Sequence, residues 1–112
     1  MNWTSLKTTE QLTDLLEESV NSKILIFKHS TRCSISRTTL DRLERNWKAE
    51  LPNTKLYFLD LLSFRELSNA IAERFNVEHQ SPQVLVISEG KSIYDRSHLD
   101  IEYSQLQEIL KN

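Results

Sequence analysis

The chain is predicted to form an α/β fold: a four-stranded mixed sheet with helices on both faces, in the order α-β-α-β-α-β-β-α. Three observations carry that expectation. Apolar, β-branched runs at 23–27, 55–59 and 84–87 read as buried strands. Stretches with apolar residues at helical spacing separate them, and β-α-β order implies parallel strands joined by right-handed crossovers. Ser88-Glu89-Gly90-Lys91 is a hairpin-turn signal, which adds an antiparallel return strand over 92–96.

The first helix is expected to start near Thr8, because Thr8-Thr9-Glu10-Gln11 has the form of a capping box. Leu12, Leu15, Leu16 and Val20 then give an apolar stripe, and Asn21-Ser22 ends it. The strand that follows runs through Phe27. A second helix, carrying Leu40, Leu43 and Trp47, opens at Cys33 and is expected to reach about Ala49, with Leu51-Pro52-Asn53 closing it. After the next strand, Ser63-Phe64-Arg65-Glu66 reads as another capping box, opening a third helix whose buried face is Leu67, Ala70, Ile71 and Phe75. Pro82 stands just before the third strand, where no ladder N–H is required. A cis Ser81–Pro82 bond would mark a tight turn there. Asp100 is the expected cap of a last helix bearing Ile101, Leu106, Ile109 and Leu110.

The 112 residues are expected to form one domain over 1–112. Fourteen basic residues against sixteen acidic ones leave a formal charge of −2, which argues against a nucleic-acid or anionic-membrane surface. A single glycine, Gly90, excludes glycine-rich phosphate cradles and dinucleotide fingerprints. His29, His79 and His98 are scattered and no pair has metal-ligand spacing, so no metal is expected. The N-terminal residues lack the basic segment and apolar run of a signal peptide, and no stretch is apolar enough to span a bilayer. A cytoplasmic location follows as the expectation.

Cys33 is the one cysteine, placed where a strand runs into a helix. A thiol there faces the unsatisfied N–H groups and positive dipole end of the helix, which favour the nucleophilic thiolate over the thiol. The second position of a Cys-x-x-Cys pair is held by Ser36, so an internal dithiol cycle is impossible. What remains is a monothiol cycle, in which an adduct on Cys33 is cleared by a second thiol. Ser36 is expected to present its hydroxyl to the sulfur. Arg37, Arg32 and Lys28 would supply nearby positive charge, His29 would do so when protonated, and Thr31 with Ser30 would cap the helix or bond around the sulfur. The duller assignment makes the cations solvated surface charges and Cys33 a small buried hydrophobe.

A strand, a helix-opening cysteine and a later X-Pro before a hairpin strand resemble the thioredoxin fold. Within it, 28–36 (Lys-His-Ser-Thr-Arg-Cys-Ser-Ile-Ser), 79–86 (His-Gln-Ser-Pro-Gln-Val-Leu-Val) and 97–101 (Ser-His-Leu-Asp-Ile) resemble the YtxJ family, the small monothiol bacilliredoxins of the bacillithiol system. The similarity spans nearly the whole chain in the same order. The family signature is T-C-P-I-S; here Arg32 and Ser34 replace the flanking Thr and Pro, while the Cys-x-x-Ser core stays. The resemblance implies Cys33 as the redox residue, bacillithiol as co-substrate with no bound cofactor, and bacillithiolated proteins as clients. It also implies a low-molecular-weight thiol or another protein thiol as reductant. If the fold is right, Ser81 and Pro82 should lie beside Cys33, leaving backbone groups to pair with an extended ligand, and His29 is expected with them as a thiol-ligand or client-binding residue. Two other functions fit the residues: a non-catalytic redox sensor or thiol-dependent binding module, and an iron–sulfur carrier. The Cys-Gly-Phe-Ser pattern of monothiol glutaredoxins is missing, which weighs against the latter.

Overall fold

The structure, a computed structural model, describes residues 3–47 and 54–111. Its sheet has five strands: β1 (Thr4–Ser5), β2 (Lys23–His29), β3 (Thr54–Asp60), β4 (Gln83–Ser88) and β5 (Lys91–Ser97). Their spatial order is β1-β3-β2-β4-β5. β1 and β2 run parallel to β3, whereas β4 is antiparallel to both β2 and β5. The helices are α1 (Thr9–Glu18), α2 (Ser34–Asn46), α3 (Arg65–Phe75) and α4 (Tyr103–Lys111), with a short 3-10 turn at His98–Asp100. The expected order is borne out, with β1 as an addition. Two polar residues give no periodicity to read; β1 exists because its backbone pairs with Tyr57 and Phe58.

β2 is central and buried on both faces, so its alternate side chains enter different cores. Ile24 and Ile26 pack with Leu12 and Leu15 of α1 and with Leu67, Ile71 and Phe75 of α3. Leu25 and Phe27 pack with Leu43 of α2 and with Ile101, Leu106 and Leu110 on the other face. Each fully buried Leu, Ile or Phe contributes about 1.5–3 kcal/mol relative to exposure, which makes this two-sided strand the main anchor of the fold.

Several element ends differ from expectation. The Thr8 capping box forms as read, with Thr8 Oγ1 accepting the Gln11 N–H at 3.1 Å and Gln11 Oε1 accepting the Thr8 N–H at 3.1 Å. Val20, assigned to the apolar stripe of α1, lies past the helix end and is 64% exposed. Ser19 is buried in its place and grips the β4–β5 hairpin, its carbonyl and hydroxyl accepting the Glu89 and Gly90 N–H groups. The Ser63 capping box does not form: Phe64 is the N-cap of α3, and Ser63 donates its hydroxyl to Asp60 Oδ2 at 3.1 Å. A charged acceptor at the end of β3 outcompetes the helix for that hydroxyl. Asp100 caps nothing, since it falls in the 3-10 turn, and α4 starts at Tyr103. α2 stops at Asn46 where Trp47 turns extended; Ala49 and Leu51-Pro52-Asn53 lie outside the described residues.

Candidate active site

β2 ends at His29, and the chain turns through Ser30-Thr31-Arg32 before α2. The turn closes with the Cys33 N–H donating to the Ser30 carbonyl at 3.1 Å. Cys33 is the N-cap of α2, in an extended conformation (φ −102°, ψ 118°), and its own carbonyl accepts the Arg37 N–H at 3.2 Å. Its side chain makes no capping hydrogen bond, and the residue is half-buried as a free thiol. The sulfur thus occupies the N-cap position that serine or aspartate commonly takes.

Ser36, on the first turn of α2, is fully buried. Its Oγ lies 2.7 Å from His29 Nδ1 and accepts the Ser30 N–H at 3.1 Å. The hydroxyl expected to face the sulfur is therefore engaged with the strand end and the turn, tying both ends of the cysteine loop together. His29 is itself buried, its ring 5.3 Å from that of Phe58. Burial lowers its pKa; Asp60 opposes this and Arg37 reinforces it. The ring is thus neutral near pH 7 and can accept the Ser36 proton at Nδ1 with Nε2 protonated. Thr31, Arg32 and Arg37 are exposed around this framework.

β4 pairs with β2 so that Gln83 sits opposite Lys28, which brings the Ser81–Pro82 segment and the cysteine loop out at the same end of the sheet. The Ser81–Pro82 bond is cis. Pro82 is buried and its carbonyl accepts the His98 N–H at 2.9 Å. Ser81 Oγ and Gln83 Oε1 are buried without a hydrogen-bond partner among the described residues.

Lys28 departs from expectation. Instead of adding surface charge near the thiol, it is fully buried on the α1/α3 face. Its Nζ donates to the Ser68 carbonyl at 3.1 Å and stands 3.5 Å from His79 Nδ1, which is also 3.1 Å from Ser68 Oγ. Burial pushes the ammonium down to about 8. The alternation of β2 carried the signal for this position, because Lys28 shares parity with Ile24 and Ile26. Ser68 and His79 carried none; only the fold joins them. Among the described residues no three His, Cys, Asp or Glu side chains gather as a metal site, and no helix is long and apolar enough to cross a membrane.

A free thiol at the N-cap position of a helix, at the sheet end that also carries a cis-proline segment, is the arrangement of a thiol oxidoreductase of the thioredoxin fold. The family model of monothiol bacilliredoxin BrxC matches residues 4–106, and the chain belongs to that family. A solved structure described as a candidate oxidoreductase with a thioredoxin fold is 31% identical. It aligns over 93% of this chain and 89% of its own, with a TM-score of 0.76. Thioredoxin from Trypanosoma brucei brucei (16% identity, 99% and 93% coverage, TM-score 0.76) shares the fold. So does Fasciola hepatica thioredoxin, at 22% identity, 95% and 94% coverage and a TM-score of 0.70. The sequence-based family and fold expectations agree with these matches, the fifth strand aside.

Proposed function

We propose that this chain, as a single domain over 1–112, removes bacillithiol or a similar small thiol from protein mixed disulfides through Cys33. The carrying observation is that Cys33 is a half-buried free thiol on the α2 N-cap while the position three residues on is a buried serine. The Cys33 thiolate attacks the small-thiol sulfur of the mixed disulfide. A new S–S bond forms on Cys33, the old one breaks, and its electron pair leaves on the client sulfur, which takes up a proton. A second small thiol, as thiolate, then attacks the adduct, releasing a symmetrical disulfide and regenerating Cys33. Another protein thiol could serve in the same step.

In this reading Arg32 and Arg37 supply exposed positive charge around the departing and incoming thiolates, and Thr31 shapes the turn. Ser36 and His29 act from below by holding the loop. Ser81 and Pro82 offer backbone groups to the extended client. The oxidative-stress role and cytoplasmic setting belong to the same proposal.

Incubation with a bacillithiolated client and excess bacillithiol tests it. The reduced protein should release many equivalents of client thiol, and Cys33→Ala should fall to the uncatalysed rate. Release that stops after one equivalent would instead favour a redox sensor, which the missing second thiol also permits. An unchanged rate in Cys33→Ala would overturn both readings.

A further inference from the structure

The buried Lys28–Ser68–His79 cluster lies outside the thiol chemistry, and its composition needs a reason. A fully buried lysine is costly unless paired, and among the described residues no carboxylate lies within ion-pair distance. Its partners are a helix carbonyl and an imidazole nitrogen. The ammonium has only donors, so it turns a proton-free Nδ1 towards itself, and Ser68 Oγ donates to that same nitrogen. His79 is therefore neutral with Nε2 protonated. Burial, Lys28 of β2 and Arg65 of α3 all act against its charged form.

What the cluster holds is the segment leading to Pro82. Among the described residues from Glu78 to Pro82, His79 is the side chain that hydrogen bonds the body of the domain. Ser81 Oγ has no hydrogen-bond partner among the described residues. The segment's other ties are the Gln83 Nε2 bond to the Glu78 carbonyl at 2.9 Å and the His98 N–H on the Pro82 carbonyl.

Resting on the oxidoreductase reading above, we propose that His79 is a positioning residue whose Nδ1, facing Lys28 and Ser68, fixes the Gln80–Ser81–Pro82 segment for docking of an extended client. It does not touch the reacting sulfurs. Its contribution is to client affinity rather than to the exchange step.

Two substitutions of similar polarity separate this role from simple folding support. The amide oxygen of His79→Asn replaces Nδ1 as acceptor, whereas His79→Gln offers its amide near the place of Nε2. The probe is a short peptide with its cysteine in mixed disulfide with bacillithiol, titrated calorimetrically onto chains that also carry Cys33→Ala, so that no exchange occurs. The Gln variant should bind at least fivefold more weakly than the parent and the Asn variant within twofold of it. With Cys33 present, the Gln variant should show a raised KM for the peptide but not for the symmetrical disulfide of bacillithiol. Hydrogen exchange at the Gln80 and Ser81 amides should speed up in the Gln variant alone. Equal behaviour of the two variants, or parallel loss on both substrates, would overturn the inference. Tight peptide binding by the Cys33→Ala chain, together with no turnover by the chain that keeps Cys33, would sink the oxidoreductase reading and leave the His79 comparison intact.

Discussion

Lys28 and His29 are consecutive residues of β2, yet each belongs to a different core. The pleat sends the first to Ser68 on α3 and the second to Ser36 on α2. In the sequence they read as charges flanking a thiol. The apolar run before them was plain, but its continuation by two polar residues looked like the end of the strand. Backbone pairing with Lys28, opposite Leu59 and Gln83, and with His29, opposite Asp60, decided otherwise. The placement of Cys33 was legible, because the strand-to-helix junction and Ser36 three residues on are local features. The Ser36–His29 bond was not, since a strand end and a helix turn meet through tertiary packing. Ser36→Ala strips a buried imidazole nitrogen and the Ser30 N–H of a partner. We expect it to destabilise the fold by about 2 kcal/mol, read from the urea midpoint at neutral pH.

Among the elements, capping signals were the mixed case. Thr8-x-x-Gln11 and Ser63-x-x-Glu66 are equivalent on paper, but only the first forms. Nothing in the window around Ser63 says that Asp60, three residues back at the end of a strand, takes its hydroxyl. The hairpin turn was legible from Gly90 and lies where expected, with positive φ at both Glu89 (52°) and Gly90 (77°). That pair of left-handed residues is what a two-residue turn between twisted strands requires, and asparagine fits the first position far better than glutamate. Glu89→Asn keeps the backbone N–H that reaches the Ser19 carbonyl. It should stabilise the protein by about 0.5 kcal/mol, seen as a small rise in Tm.

For the molecule as a whole, Lys28 imprints a pH dependence on stability. Its pKa falls from an ordinary 10.5 to about 8 on folding. Between those values the unfolded chain binds more protons, so this residue adds stability as pH rises through 8 to 10.5. Its full penalty is present below about 8. The shift corresponds to about 3 kcal/mol. Lys28→Met keeps the length without the charge, and should raise stability at pH 7 by about 1–3 kcal/mol. The wild-type minus Lys28→Met difference in urea stability should also shrink steadily from pH 8 towards 10; a flat difference would refute the assignment. The two borders of the sheet carry a separate consequence. β1 is only two residues long, and β5 presents Lys91, Asp95 and Arg96 outward beside the half-exposed Ile93. Neither rim offers a long, uncharged template to a neighbouring molecule. The protein should thus resist fibrous self-association even when crowded, despite an interior strand whose centre, Ile24-Leu25-Ile26-Phe27, is wholly aliphatic and aromatic.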